Sequence, residues 1–172
     1  MMRLKSIFGR GLHKTALASA LSLVLFAAFG ASALAGELPK QGTYSLTWTF
    51  SGPYTLLEVG EDEWAWISNF TLVIWNNAGE GIYHDMTGDC IEIGGPERQT
   101  SGYCTYTDAD GDKIFEAYTE EEEGKGHDTL TGGTGKYAGL QGGGKYEYAF
   151  TPDTPEGTFH GYGHTEGSYT LR

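Results

Sequence analysis

Acid–base chemistry is the first chemistry that the sequence suggests, and Glu116 is its main candidate. Glu116 lies in a strand-like segment, with Ile114 and Tyr118 two residues away on the same face. A carboxylate among aromatic and aliphatic side chains has a raised pKa and can act as an acid or base without a metal. We predict a catalytic role for Glu116; the alternative is a side chain that faces solvent.

Two histidines near the C-terminus form a second candidate. His160, Tyr162, His164 and Glu166 alternate with small residues, so an extended strand would place all four side chains on one face. Residues two apart in a strand are separated by about 6.6 Å and residues four apart by about 13 Å, so a regular strand cannot bring both histidines to one metal. The pattern favours a polar outer face. Acid–base catalysis by His160 or His164 and a metal site at a bend remain alternatives.

Asp108, Asp110 and Asp112 surround a turn glycine and are a weak calcium candidate. In an EF-hand loop that starts at Asp108, glycine would be required at position 6 and glutamate at position 12, but the glycine is at position 4 and Thr119 at position 12. A hairpin turn with solvated carboxylates is therefore favoured. We predict no metal and no other cofactor.

The glycine-rich segment 132–144 resembles phosphate-binding loops only superficially. A phosphate-binding loop needs Ser or Thr directly after its lysine, whereas Tyr137 follows Lys136. A dinucleotide-binding loop must open a helix, and the triple glycine at 142–144 prevents one. Glycines in strands mark bends, bulges and close backbone approach, so an architectural role is predicted.

The aromatic residues supply the candidate binding surface. Trp and Tyr combine an apolar ring with a polar tip, which suits a cavity that binds an apolar or phenolic molecule. Packing of the core and of subunit interfaces would use the same residues. The candidate ligand-binding residues are Trp48, Trp66, Tyr103 and Tyr118.

Cys90 and Cys104 are predicted to form a disulfide bond. An even number of cysteines in an exported chain indicates a disulfide first, and this one would close a loop of 15 residues. On the chain-entropy estimate it would contribute roughly 3 kcal/mol. A metal pair or free thiols are the alternatives, but neither has a partner motif.

These residues must be positioned by strands, because the chain after residue 35 shows no apolar period of 3.6 residues. Residues 44–50 alternate between apolar and polar, and Asp110-Gly111 is typical of a hairpin turn. A two-residue turn there would place Thr105 opposite Glu116. We predict a loop over residues 124–135 and seven or eight short strands in all. This organisation indicates an all-β fold, a small closed antiparallel barrel or a sandwich, and closure would remove exposed edges.

The segment Gly132-Gly-Thr-Gly-Lys-Tyr-Ala-Gly139 resembles a motif of allene oxide cyclases and plant dirigent proteins. It is more similar still to small exported bacterial proteins of the allene-oxide-cyclase-like group, which the segment 101–115 also resembles. The resemblance implies an eight-stranded, calycin-like barrel with an apolar cavity that can form homo-oligomers. Its plant members work without cofactors: one cyclises a fatty-acid epoxide and the other steers radical coupling of phenols. The matching residues are glycines and a hairpin, so no catalytic residue is transferred.

The N-terminus is predicted to be a secretory signal peptide, with the barrel domain over residues 36–172. Four basic residues precede an apolar run, and Ala33-Leu34-Ala35 fits signal peptidase, so we predict cleavage after Ala35 and a periplasmic or secreted product. The remaining 137 residues carry a net charge of −16. This charge argues against nucleic-acid binding, and no second apolar run is long enough to place the mature chain in a membrane.

Together these features predict an exported barrel that binds a small apolar or aromatic molecule. It would be a cofactor-free cyclase or isomerase, or a dirigent-like stereocontrol protein, and the residues leave open whether it is an enzyme. The alternative is a non-catalytic structural or interaction protein whose acidic surface is stabilised by calcium. A metal-dependent enzyme that uses His160 or His164 is the third reading.

Overall fold

The computed structural model describes residues 38–96, 98–152 and 154–172; the predicted signal peptide, residues 1–35, lies outside them. No helix within the described residues has the length and apolarity needed to span a bilayer. A 3-10 turn (Gly135–Tyr137) and eight strands are formed. The strands are β1 (Gln41–Gly60), β2 (Glu63–Asn76), β3 (Met86–Gly95), β4 (Arg98–Thr107), β5 (Lys113–Glu122), β6 (Lys125–Gly133), β7 (Leu140–Phe150) and β8 (Thr158–Leu171).

The strands close into an antiparallel barrel in which each strand pairs with the next along the chain. Pairing of β1 with β8, from Gln41 opposite Thr170 to Pro53 opposite Thr158, closes the sheet. Closure removes the unpaired edges that would otherwise template aggregation. The predicted all-β, closed eight-stranded barrel is therefore confirmed.

The alternation read from residues 44–50 separates the inside of the barrel from its outside. Tyr44, Leu46 and Phe50 are buried in the lumen, whereas Thr47 and Thr49 are exposed. Successive side chains of a strand point to opposite faces, so one apolar set fills the core. Each fully buried large apolar side chain contributes roughly 1.5–3 kcal/mol, which makes this alternation a determinant of the fold.

One end of the barrel is plugged by the connection between β2 and β3. Ile82 and Tyr83 fold into the barrel and are fully buried. The Asn76 side-chain amide donates to the Ile82 carbonyl oxygen at 3.0 Å and ties the plug to the end of β2. Tyr83 has a φ of 63°, a left-handed conformation that surrounding packing must hold in place. The opposite end of the barrel is left open.

The connection between β4 and β5 is longer than the predicted two-residue turn. It spans residues 108–112, and Gly111 has a φ of 86°. The register therefore shifts by one residue: Glu116 lies opposite Cys104, and Thr105 lies opposite Phe115. The expectation of Thr105 opposite Glu116 is wrong, because Asp108 accepts two turn backbone hydrogen bonds and stabilises the wider turn.

The predicted loop over residues 124–135 is wrong as well, because most of it forms β6. Its inward-facing residues are Gly126, Asp128 and Leu130, all buried. A glycine and a carboxylate at inward positions conceal the apolar alternation by which strands are recognised. Their burial depends on neighbouring strands, which the segment itself does not reveal.

The disulfide prediction is confirmed. Cys90 on β3 lies opposite Cys104 on β4, with a Cα–Cα distance of 4.2 Å, and the two side chains form a bridge inside the barrel. The bridge also reveals strand orientation, because residues two positions away on each strand must share its inward face.

Candidate functional site

The open end of the barrel leads into a cavity of about 710 Å³. This volume lies within the range of small-molecule sites, roughly 300–1,000 Å³. The β1–β2, β5–β6 and β7–β8 connections surround its mouth, and the Tyr83 plug lies beyond its inner end. Its walls are largely aromatic and include Trp48, Phe50, Trp66, Phe70, Tyr118 and Tyr148.

Glu116 lies at the inner end of the cavity and is 9% exposed. The Tyr83 hydroxyl donates to its Oε2 at 2.5 Å, and the Tyr106 hydroxyl donates to its Oε1 at 2.9 Å. Burial, aided by the charge of Asp128, raises the pKa of Glu116 to about 8 despite the two phenol hydrogen bonds. The group is therefore a protonated carboxyl through most of the neutral range.

Asp128 on β6 adds a second buried acid beside Glu116. It is 6% exposed, and the Tyr44 hydroxyl lies 3.3 Å from its Oδ2. Its Oδ1 is buried and accepts no hydrogen bond from the described residues. Burial raises the pKa of Asp128 to about 6, opposed by the hydrogen bond from Tyr44 and by the nearby backbone NH groups of Asp128 and Gly144. Two acids share this apolar space, so the charge of one disfavours ionisation of the other.

Glu92 on β3 stands nearer the mouth, half-buried in the cavity wall. The Trp66 indole NH donates to its Oε1 at 3.2 Å, and the Tyr118 hydroxyl donates to its Oε2 at 2.9 Å. Burial raises the pKa of Glu92, and these two hydrogen bonds oppose the shift. Glu120, also at the cavity, accepts a hydrogen bond from the Tyr148 hydroxyl at 2.8 Å.

Three of the four residues predicted to bind a ligand line the cavity: Trp48, Trp66 and Tyr118. Tyr103 does not, because its neighbour Cys104 points inward and Tyr103 therefore points outward, where it is 64% exposed. The barrel thus places Tyr103 away from this cavity. Whether the other three bind a ligand stays a prediction.

His160 and His164 occupy the outer face of β8, together with Tyr162 and Glu166, and all four are exposed. The shared outer face that the alternation favoured is thus what the strand adopts. His160 lies at the cavity rim, whereas His164 does not line the cavity. Catalysis by His164 would therefore need a site other than this cavity.

The aspartates of the β4–β5 turn are held by a lysine. Lys136 Nζ lies 2.7 Å from Asp108 Oδ2 and 2.8 Å from Asp110 Oδ2, and its backbone NH donates to Asp112. The ammonium group occupies the position between these carboxylates that a cation would take. No group of three or more His, Cys, Asp or Glu in the described part of the chain has an arrangement suited to a metal.

Sequence reasoning missed Glu92, Glu120 and Asp128, which join Glu116 in lining the cavity. Glu92 stands between Ile91 and Ile93, so alternation by hydropathy assigns the two isoleucines to the core. Both are instead exposed, at 55% and 41%. The signal that could have found Glu92 is the disulfide, since Cys90 lies two residues before it.

The sequence matches no protein-family model and no curated protein. Its fold is similar to that of the pterocarpan synthase dirigent protein PsPTS1, with a TM-score of 0.50, 10% identity, and coverage of 78% of this chain and 98% of that one. A second pterocarpan synthase dirigent protein, GePTS1, has a TM-score of 0.49 and 10% identity over 80% of this chain and 90% of that one. This chain has the dirigent fold. At 10% identity the likeness concerns the fold and does not transfer residue roles.

In this barrel, a few carboxyl groups on otherwise apolar walls are the groups that could react with a bound molecule. A protonated Glu116 can donate a proton or hydrogen bond, and the carboxyl oxygens of Glu92 can accept hydrogen bonds. Aromatic faces can stabilise positive charge that develops on a bound molecule. The cavity therefore combines apolar, largely aromatic walls with carboxyl groups that can exchange protons and hydrogen bonds.

Proposed function

We propose that the protein is exported and that its cavity binds a small aromatic molecule, phenolic or apolar, and directs its cyclisation or coupling without a cofactor. The observation that carries the proposal is an aromatic cavity of about 710 Å³ with carboxyl groups at its inner end. The fold shared with a pterocarpan synthase dirigent protein supports a role in stereocontrol.

The mechanism rests on confinement. Aromatic walls hold the bound molecule in one folded conformer. The molecule therefore loses conformational entropy when it binds, and this loss no longer adds to the barrier of the reaction step. Glu116 would supply a proton to an oxygen of the substrate and take it back later, since its raised pKa suits exchange near neutrality. For oxidative coupling, an external one-electron oxidant would generate the radicals, and the barrel would contribute orientation alone.

Binding is tested by calorimetric titration with 4-phenylphenol, a neutral two-ring phenol. We expect saturable binding, weakened about tenfold by Trp66→Ala, which corresponds to about 1.4 kcal/mol. The matched control is Trp75→Ala on the same strand, because Trp75 faces outward and is 38% exposed. Absence of binding, or equal losses in both variants, would contradict a binding site in the cavity.

Stereocontrol is tested with the same protein and a one-electron oxidant acting on a phenol that couples to chiral products. We expect the barrel to produce an enantiomeric excess that chiral chromatography detects and that Trp66→Ala reduces. Racemic product in the presence of saturating protein would overturn the stereocontrol part of the proposal while leaving binding intact.

A further inference from the structure

The acids far outnumber the basic groups around the cavity. Four acids line its interior or wall, and Glu121, Glu122 and Glu123 continue along the rim, where His127 pairs with Glu121 and Lys125 pairs with Glu122. Among the described residues, no Lys or Arg lines the cavity. The basic side chain in its lining is His160, at the mouth. The interior acids are Glu92, Glu116, Glu120 and Asp128.

Two lysines pair with acids outside the cavity interior. On the outer surface Lys136 bridges Asp108 and Asp110, and at the rim Lys125 pairs with Glu122 at 3.2 Å. The interior acids instead take hydrogen bonds from neutral donors: tyrosine hydroxyls, the Trp66 indole and backbone NH groups. Neutral donors satisfy carboxylate oxygens without cancelling their charge.

At Asp128, hydrogen bonding of the carboxyl oxygens is incomplete. It is 6% exposed and lines the inner end of the cavity, yet its Oδ1 accepts no hydrogen bond from the described residues. A buried carboxylate without a cationic partner is costly, and an opposite charge within the same low-dielectric space offsets part of that cost. The cavity thus holds acids for whose ionised forms the interior side chains supply no cationic partner.

The walls suit the same kind of guest. Trp48, Trp66 and Tyr118 line the cavity, and a cation over an aromatic face gains about 0.5–2 kcal/mol, most when desolvated. A neutral guest would use these rings as apolar surface only. An anion would meet the negative faces of the rings as well as the acids.

We propose that the ligand of this cavity is an aromatic molecule that carries one positive charge, such as a protonated primary amine. Its charge lies toward Glu92, Glu116 and Asp128, and its ring lies against the aromatic wall. The inference rests on the proposed function, since it names the ligand class of the same site. It excludes free carboxylates, fatty-acid anions among them, as ligands whose charged group enters the cavity.

Proton release accompanies such binding. Burial raises the pKa of Glu116 and of Asp128, so an entering cation displaces a proton and binds more tightly as the pH rises from 6 to 8. Glu92 lies nearer the mouth than these two acids, and the titratable groups that face it are Tyr118 and Glu120, both from β5. The groups that face Glu116 are Tyr83 from the plug, Tyr106 from β4, Asp128 from β6 and Tyr44 from β1.

The test uses three ligands that share a 4′-hydroxybiphenyl skeleton and differ in the group at position 4. This group is a neutral hydroxymethyl, a positively charged aminomethyl or a negatively charged carboxylate. Calorimetry at pH 7.5 and low salt should give an affinity for the amine at least tenfold above that for the alcohol, with the carboxylate weakest. An alcohol that binds as tightly as the amine, or a carboxylate that binds more tightly, would overturn the inference and leave the proposed function standing. No binding by any of the three would overturn both.

Two variants locate the effect. Glu92→Gln and Asp128→Asn should each reduce the amine-to-alcohol affinity ratio at least threefold. The matched controls, Glu147→Gln and Asp89→Asn, alter exposed acids outside the cavity and should keep the native ratio. Equal ratios in the cavity variants and controls would show that the cavity acids do not select the charge, and the inference would be wrong. Glu92 is half-exposed, so its variant keeps the test valid if the Asp128 variant does not fold.

Discussion

At the scale of single residues, the barrel interior raises the pKa values of the acids that it buries. Glu116 has two phenol donors and still has a raised pKa, because desolvation outweighs the hydrogen bonds. The same competition raises the pKa of Glu92 and of Asp128. Tyrosine hydroxyls therefore hold these groups in place without forcing them to ionise.

A consequence for stability follows from Glu116. Its folded-state pKa, about 8, exceeds that of an exposed glutamate, about 4.3, so between these values the folded protein binds more protons than the unfolded chain. The free energy of unfolding should therefore fall as the pH rises from 5 to 8. Glu116→Gln cannot titrate and should flatten this dependence by at least about 1 kcal/mol, given 1.4 kcal/mol per pKa unit.

Urea denaturation at pH 5, 6.5 and 8 measures this difference. Asp128 contributes a dependence of the same sign, so the variant should keep a smaller slope and not lose it entirely. Glu147→Gln, an exposed acid on β7, is the control and should reproduce the native slope. A Glu116→Gln protein with the native pH dependence would show that Glu116 ionises normally in the folded state.

At the scale of elements, β8 is thinned by glycines so that rings of β1 can lie across it. Trp48 packs over Gly163, and Phe50 packs over Gly161. Between Phe159 and Thr165, which line the cavity, the inward positions of β8 are Gly161 and Gly163 and carry no side chain. The glycines of this strand are therefore as much a part of the site as the aromatic rings.

Gly163→Ala tests this packing. A Cβ at position 163 would lie 2.5 Å from Trp48 Cζ2 and 2.6 Å from the Glu147 carbonyl oxygen, and backbone cannot move aside cheaply. We expect a loss of about 1–3 kcal/mol in the free energy of unfolding, as for other overpacked positions. Gly95→Ala is the control, since its Cβ would meet Ala65 at 3.3 Å and should cost much less. Equal denaturation midpoints for the two variants would contradict the predicted overlap.

At the scale of the whole molecule, the acidic side chains have two different kinds of partner. Asp108 in the β4–β5 turn and Glu122 at the cavity rim pair with lysines, whereas interior acids such as Glu116 accept hydrogen bonds from phenols. The predicted homo-oligomer stays a prediction. Ile91 and Tyr103, exposed on neighbouring outward positions of β3 and β4, are apolar residues that a second copy could cover.

Export is also a property of the whole chain and stays a prediction, tested by mass. The protein isolated from the periplasm or medium of an expressing bacterium should begin at Gly36. Its intact mass should be about 2 Da below that of the reduced chain because Cys90 and Cys104 are bridged. An unprocessed N-terminus on protein retained in the cytoplasm would contradict the signal peptide, and the disulfide would be judged independently from the 2 Da difference.

Much of the fold follows from local pattern. The alternation over residues 44–50 and the Cys90–Cys104 pair correctly predicted an inward face and a bridge. The β4–β5 register did not follow, since side-chain hydrogen bonds of Asp108 decide the turn length. A shift of one residue moves every side chain of a strand to the other face, so uncertainty in a turn becomes uncertainty about the cavity.

The amino-acid sequence by itself determined a glycine-rich, disulfide-bridged all-β chain, because alternation, turn residues and cysteine pairing act over short distances. Only the tertiary structure decided which acids meet. Glu92, Glu116 and Asp128 come from three strands, and their shared cavity exists only once the barrel closes. The physical reason is that burial, which raises their pKa values, is a property of the surrounding strands and not of the residues themselves.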